Sequence, residues 1–147
     1  MFSWLMRNQE PAKKAGFEDM QVAAAAPRGS YTIISTLPTD QQACLIPGTV
    51  PAARETETVN ALIGSARATI IVYGRNANDD SVFRKYEQLV ALGFQRTYVY
   101  PGGLFEWLLL QDVYGKEAFP TTTEELDILR FRPATVLAAG LPIQDRD

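Results

Sequence analysis

The residue types best suited to chemistry lie in a short polar loop that follows an apolar run typical of a buried strand. Residues 69–73 read Thr-Ile-Ile-Val-Tyr, and a helical pattern begins at Ser81. Backbone N–H groups between the end of a buried strand and the start of a helix commonly form a cradle for an anion. The pattern therefore predicts an anion-binding loop made of Gly74, Arg75, Asn76, Ala77, Asn78, Asp79 and Asp80.

The same loop residues also have structural interpretations. Gly74 is expected to adopt a positive φ at a tight strand-to-helix turn. Asp79 and Asp80, together with Ser81, are expected to supply N-capping oxygens to the helix. A metal site at the two aspartates is the alternative, but the further oxygen ligands that it needs are not evident nearby. Arg75 is expected to be a solvated loop residue, with a phosphate contact as its alternative role.

Composition excludes several catalytic classes. The chain of 147 residues has no histidine, which excludes a Ser-His-Asp triad, His-based acid–base catalysis and imidazole zinc sites. Cys44 is the single cysteine, so neither an internal disulfide nor a thiolate metal cluster can form. It is interpreted as a small buried filler, with a substitute nucleophile as the alternative. The net charge of −3, without clustered Lys and Arg, argues against a nucleic-acid binder.

Strand-like and helix-like runs alternate along the chain from Tyr31 onward. Because strands alternating with helices are typical of parallel sheets, the sequence predicts an α/β fold with a small, mainly parallel sheet flanked by helices on both faces. The last helix is expected from the capping-box pattern Thr-Thr-Thr-Glu-Glu. The predicted strands are residues 31–35, 69–73 and 98–100, and the predicted helices are residues 55–65, 81–92, 104–111 and 121–129.

Several motifs fall in an order that resembles a known family. They are Leu45-Ile46-Pro47-Gly48-Thr49-Val50, residues 70–73 with the loop that follows, Leu92-Gly93-Phe94, and the segment Pro101-Gly102-Gly103-Leu104-Phe105-Glu106-Trp107. Together they resemble the rhodanese-like domain of the rhodanese/sulfurtransferase–phosphatase superfamily, over roughly residues 31–122. Gly-Gly-x-x-x-Trp after a short strand is the most specific of these motifs. The resemblance implies a rhodanese-like fold with N- and C-terminal extensions.

The departures from the family pattern imply that the chain is not an enzyme. The nucleophilic cysteine of the family corresponds to Gly74, which has no side chain to attack a sulfane sulfur or a phosphate. The family's D-x-R after the first strand corresponds to Ser35-Thr36-Leu37, and its histidine before Ile-Pro-Gly corresponds to Leu45. Asp79 and Asp80 would also oppose a bound oxyanion at close range. The loop is then only a remnant of an anion site, and no cofactor or metal is expected.

The two ends of the chain are predicted to lie outside the central domain. The expected division is an N-terminal extension (1–30), a rhodanese-like domain (31–122) and a C-terminal helix and tail (123–147). The extension is interpreted either as a disordered leader or as a partner-binding segment, because exposed aromatic residues are costly. Deleting residues 1–27 is expected to weaken assembly without unfolding the domain. The predicted partner-binding residues are Phe2, Trp4, Leu5, Met6 and Phe131.

Two functional classes follow from these patterns. The preferred one is a catalytically inactive rhodanese-like protein that acts as a structural or protein-binding subunit of a larger assembly. The alternative is an anion- or persulfide-binding regulatory pseudoenzyme, or a weak sulfurtransferase that uses Cys44. Its partners are expected to be other protein subunits, with no nucleic acid and no transmembrane segment. The expected location is intracellular, with cytoplasmic, ciliary or flagellar, and mitochondrial sites left open.

Overall fold

Three short strands rich in β-branched and aromatic residues build the sheet at the centre of the fold. In the computed structural model, which describes residues 10–140, they are β1 (Thr32–Ser35), β2 (Ile70–Tyr73) and β3 (Thr97–Tyr100). They lie in the order β1-β2-β3, and both neighbouring pairs are parallel. Because successive side chains point to opposite faces, each face of the sheet carries its own apolar row across the three strands.

Two helical crossovers cover one face of the sheet. Helix α2 (Glu55–Leu62) connects β1 to β2, and helix α3 (Ser81–Ala91) connects β2 to β3. Parallel crossovers are almost always right-handed, and both connections move in the same direction across the sheet, so the two helices lie on the same face. The cluster that they form with the sheet consists of Ile34, Val59, Ile70, Val72, Val82, Leu89, Phe94 and Val99.

Segments before and after the crossovers cover the opposite face. Helix α1 (Phe17–Ala25) precedes β1, helix α4 (Gly103–Tyr114) follows β3, and a 3₁₀ turn (Ile128–Phe131) packs beside them. Trp107 of α4 is fully buried, and its indole N–H donates a hydrogen bond to the carbonyl of Pro120 at 2.8 Å. The predicted α/β fold with a small parallel sheet and helices on both faces is therefore confirmed.

The segment before β1 belongs to the same folded unit from residue 13 onward. The N–H of Ala15 donates to the carbonyl of Val99, and the N–H of Val99 donates to the carbonyl of Lys13, both at 2.8 Å. Met20 of α1 is fully buried, and Ala23 is 6% exposed. Deleting residues 1–27 would remove Ala15, Met20 and Ala23 from the core, which argues against the expectation that the domain stays folded without them.

The helix predicted for residues 121–129 is not observed. The hydroxyl groups of Thr122 and Thr123 both donate to the carbonyl of Ala43, at 3.1 and 3.0 Å, and the N–H of Thr122 donates to the carbonyl of Leu45 at 2.8 Å. These long-range bonds use the side chains that were expected to cap a helix. The segment runs as an irregular strap over the 44–46 loop, and only Ile128–Phe131 forms a 3₁₀ turn.

The hydroxyl group of Tyr73 anchors the segment that runs beside the outer edge of β1. This fully buried hydroxyl accepts the N–H of Ile46 at 3.1 Å and lies 2.8 Å from the hydroxyl of Thr49. Burial raises the pKa of Tyr73 to about 12, although the hydrogen bonds from Thr49 and Ile46 lower it. The neighbouring N–H of Val50 in turn donates to the carbonyl of Ile33 at 2.8 Å, which covers part of the β1 edge.

Replacing Tyr73 with Phe is expected to lower the free energy of unfolding by about 1–3 kcal/mol, because the N–H of Ile46 is left buried without an acceptor. Urea denaturation measures the loss. Tyr98→Phe is the matched control, since Tyr98 lies on the same face of the sheet and is only half-buried. An equal effect of both substitutions would contradict the anchoring role of the Tyr73 hydroxyl.

Candidate functional site

The polar loop of residues 74–80 lies between the end of β2 and the start of α3, against the first turn of α4. The N–H of Leu104 donates to the carbonyl of Gly74, and the N–H of Phe105 donates to the carbonyl of Arg75, both at 2.9 Å. At Gly103, a Cβ atom would lie 2.7 Å from the carbonyl oxygen of Gly74, and the φ of this residue is +68°. Glycine is therefore required for this close approach of the α4 terminus to the loop.

Glycine at position 74 is required by space and not by backbone conformation. The φ of Gly74 lies outside the positive range, so the prediction of a positive φ is wrong. A Cβ atom at this position would lie 2.5 Å from Oδ2 of Asp79, 2.8 Å from Cγ1 of Val82 and 2.9 Å from Oγ1 of Thr36. The volume in which a nucleophilic side chain would begin is thus filled by these three neighbours.

The carboxylate of Asp79 occupies the inside of the loop. Its Oδ2 accepts the N–H of Arg75 at 2.9 Å, and its Oδ1 accepts the N–H of Ser81 at 3.0 Å and the Ser81 hydroxyl at 2.5 Å. The donors are thus the amide at the start of the loop and the amide at the start of α3, where an external anion would bind. The side chain of Asp79 therefore acts as an internal anion.

Two opposing effects set the pKa of Asp79. Partial burial raises the pKa of the carboxyl, whereas the hydrogen bonds from Ser81 and from the N–H of Arg75 lower it, and so does the positive charge of Arg84. The net result is a pKa below the ordinary value of aspartate. The carboxylate is therefore ionised at neutral pH and is held by donors that favour its charged form.

The outer side of the loop is covered by the C-terminal 3₁₀ turn. The amide nitrogen of the Asn76 side chain donates to the carbonyl of Phe131 at 2.9 Å, and the guanidinium of Arg75 donates to the carbonyl of Arg130 and, at 3.3 Å, to Oε1 of Gln41. The guanidinium groups of Arg75 and Arg130 lie 5.7 and 5.6 Å from the centre of the Phe131 ring. The expectation that Arg75 is a solvated loop residue is therefore wrong.

Phe131 is 2% exposed and packs in the core. Its predicted role as a partner-binding residue is therefore not supported by its position, because its ring is already covered by the protein's own chain. The apolar tip predicted to bind a partner, which is Phe2, Trp4, Leu5 and Met6, lies outside the described residues.

The remaining loop residues contribute little to a binding site. Ala77 and Asn78 are exposed, and the N–H of Asn78 donates to Oδ1 of Asn76 at 2.9 Å. Asp80 is the N-cap residue of α3, but its side chain makes no capping hydrogen bond. The predicted capping by Asp80 is therefore wrong, and Asp79 is the residue whose carboxylate bonds to the first amide of α3.

Cys44 is not placed to replace the missing nucleophile. It is 4% exposed, and its thiol donates to the carbonyl of Thr123 at 3.5 Å. Burial raises the pKa of the thiol above its ordinary value, although hydrogen bonds from Thr121 and Thr123 lower it. Because the thiolate is the reactive form, a buried thiol with a raised pKa is a poor nucleophile at neutral pH.

Residues 10–140 offer neither a metal cluster nor a membrane-spanning helix. No group of three or more His, Cys, Asp or Glu side chains in this part of the chain could hold a metal ion. None of its helices is long and apolar enough to cross a membrane.

Comparisons with known proteins identify the fold without a function. No protein-family model matches the chain, and no curated protein matches it. Two crystal structures are similar, and both identities are low enough that the likeness shows the fold alone. A full-length protein from Lactobacillus plantarum has a TM-score of 0.54 at 19% identity and covers 67% of this chain and 82% of its own. The BH2092 protein from Bacillus halodurans has a TM-score of 0.54 at 13% identity, and the match covers 89% of this chain and 96% of that protein's chain.

Replacing Gly74 with Ala is expected to destabilise the protein by about 1–3 kcal/mol, because the new methyl group overlaps atoms that are already in contact. The free energy of unfolding in urea measures this cost. The double variant Gly74→Ala/Asp79→Ala should be destabilised by less than the sum of the two single-variant effects, since the substitution at position 79 removes one of the overlapping atoms. A neutral or stabilising Gly74→Ala substitution would contradict the packing described here.

Replacing Asp79 with Asn is expected to destabilise the protein by about 1–2 kcal/mol at pH 7, because amide hydrogens would face N–H and O–H donors. Since the folded-state pKa of Asp79 is below the unfolded value, its contribution is fully present above about pH 4 and is lost as the pH falls through the folded pKa. Urea denaturation from about pH 2, roughly two units below the unfolded value, to about pH 7, roughly three units above it, should show a shallower acid loss for the variant than for the native chain.

The matched control is Asp80→Asn, the same substitution one residue away on an exposed side chain that makes no capping hydrogen bond. It should keep the acid dependence of the native chain. The internal-anion role of Asp79 is rejected if both substitutions give the same stability curve.

Proposed function

We propose that this chain is a catalytically inactive α/β protein with a rhodanese-like core, acting as a structural or protein-binding subunit of a larger assembly. The observation that carries the proposal is the closed loop of residues 74–80. Position 74 has no room for a nucleophilic side chain, the Asp79 carboxylate takes the place of an anion, and the C-terminal turn covers the outside. Such a loop supports the fold and leaves no site for sulfur or phosphate transfer.

A surface suited to protein contacts supports the same proposal. Between residues 109 and 137, several large apolar side chains are exposed, and they lie on the outer side of α4 and along the C-terminal strap. Exposed apolar residues in such numbers commonly mark interaction surfaces. They are Leu109 (42% exposed), Val113 (71%), Tyr114 (68%), Leu126 (85%), Leu129 (58%), Val136 (82%) and Leu137 (98%).

The alternative roles have less support. An anion or persulfide sensor would need the donors of Arg75 and Ser81, which the Asp79 carboxylate already uses. Sulfur transfer through Cys44 would need an accessible thiolate, and this thiol is buried with a raised pKa. The proposal also keeps protein subunits as partners and an intracellular location, with the compartment left open.

The assembly role is tested by the native size of an epitope-tagged chain expressed in its source cells. The native chain should run in a complex much larger than 16.3 kDa. The double variant Val113→Glu/Leu126→Glu should release it as a folded monomer, because charges on an exposed apolar surface oppose burial against a partner. Ile63→Glu is the matched control, since Ile63 is an exposed apolar residue beside α2 (51% exposed) and should leave the complex intact.

A native chain that runs at monomer size, or a double variant that stays in the complex, would count against the proposal. The same purified chain should show no thiosulfate-to-cyanide sulfur transfer and no hydrolysis of an aryl phosphate. Sulfur transfer that disappears in Cys44→Ser would replace the proposal with the Cys44 enzyme.

A further inference from the structure

A cleft beside the outer edge of β1 has the features of a ligand site. Its volume is about 700 Å³, against about 260–320 Å³ for four other cavities along the described chain. Its walls come from the end of α1, the loop of residues 26–31, the first residues of β1 and the segment that the Tyr73 hydroxyl anchors. The volume is within the usual range for small-molecule pockets.

The charges in the cleft are all positive. Arg28 and Arg54 line it, and no aspartate or glutamate does. Each of the four other cavities contains at least one carboxylate among its lining residues. The cleft is thus the one of these five cavities whose charged lining residues are only cationic, in a chain with a net charge of −3.

Neither guanidinium makes an ion pair or a side-chain hydrogen bond with any residue in 10–140. The two cations contrast with Lys85, which is paired to Glu55 at 2.6 Å in another cavity. Both arginines are exposed. Because a guanidinium presents a planar fork of donors that matches carboxylates and phosphates, two arginines without an ion-pair partner that line the same cleft favour a negatively charged ligand.

The rest of the lining is mainly apolar, with a few polar groups. Tyr31, Val50 and Pro51 supply apolar surface, and Thr58 adds a hydroxyl. Two exposed glycines, Gly29 and Gly48, also line the cleft. A mainly apolar lining with a few polar residues is typical of sites for small organic ligands.

The cleft is separate from the loop of residues 74–80. The cleft is lined by Thr32 and Ile33, the first residues of β1. The loop follows Tyr73, the last residue of β2, and Tyr73 pairs with Ser35, the last residue of β1. A four-residue strand is about 13 Å long, so the two sites lie at opposite ends of the sheet.

We propose that this cleft binds a small organic anion, in which a phosphate or carboxylate head contacts Arg28 and Arg54 and an apolar body lies against Tyr31, Val50 and Pro51. The two guanidinium groups supply charge-assisted hydrogen bonds to the head. The apolar body gains from burial against the side chains of the wall.

The test is a set of separate titrations of the ¹⁵N-labelled full chain with phenyl phosphate, benzoate and inorganic phosphate. The readout is the change in chemical shift of the Gly29 and Gly48 backbone amides. Saturable shifts with an aryl anion are expected. Arg28→Ala and Arg54→Ala should each weaken binding about tenfold, because each removes charged hydrogen bonds to the head group. Tighter binding of phenyl phosphate than of benzoate would identify the head as a phosphate, and the reverse order would identify a carboxylate.

Arg67→Ala is the matched control, since Arg67 is exposed and lines none of the five cavities, and it should bind like the native chain. Two results would overturn the site: no saturable shift with either aryl anion, or shifts that Arg28→Ala and Arg54→Ala leave unchanged. Inorganic phosphate that binds as tightly as phenyl phosphate would overturn the assignment of an apolar body.

Discussion

The hydrogen bonds of the Asp79 carboxylate hold the junction on which the carboxyl end of the sheet depends. One oxygen binds the amide after Gly74 and the other binds the amide and hydroxyl of Ser81, so one side chain joins the end of β2 to the start of α3. Hydrogen bonds to a charged acceptor are roughly twice as strong as neutral ones. The arrangement needs the space that glycine leaves at position 74. The hydrogen bonds of Asp79 therefore depend on glycine at position 74.

This junction determines how the rest of the chain packs at the same end of the molecule. With the inside of the loop filled, its carbonyl groups bind the first amides of α4, and the side chains of Arg75 and Asn76 bind the C-terminal turn at Arg130 and Phe131. The C-terminal strap is thereby tied to the centre of the sheet across 55 residues of sequence. The loop therefore faces the protein itself, and exposed apolar side chains lie on the strap and on α4 instead.

The elements with strong periodicity could be predicted from the sequence. The three strands and helices α2, α3 and α4 lie within a few residues of their predicted bounds, and Gly93, with φ at +101°, follows the end of α3. Long-range contacts decided the rest. The threonines at 122 and 123 look like a helix cap but bond to Ala43, and Phe131 looks like an exposed anchor but packs over Arg75. The role of Asp79 depends on the missing Cβ at position 74, and spacing along the chain does not reveal such a contact in space.

The two ends of the sheet differ in whether their anion-binding groups are available to an external anion. At the carboxyl end, the backbone donors that could bind an anion are satisfied by the chain's own carboxylate, so an external anion would have to displace an ionised group held by three donors. Beside the amino end of β1, the two guanidinium groups have no partner within the described chain, although the protein carries more acidic than basic residues. Cations without an ion-pair partner in a cavity can still attract an incoming anion, whereas donors that already bind a carboxylate have little left to offer one. The electrostatics therefore favour the Arg28–Arg54 cleft over the loop as the place where an external anion would bind.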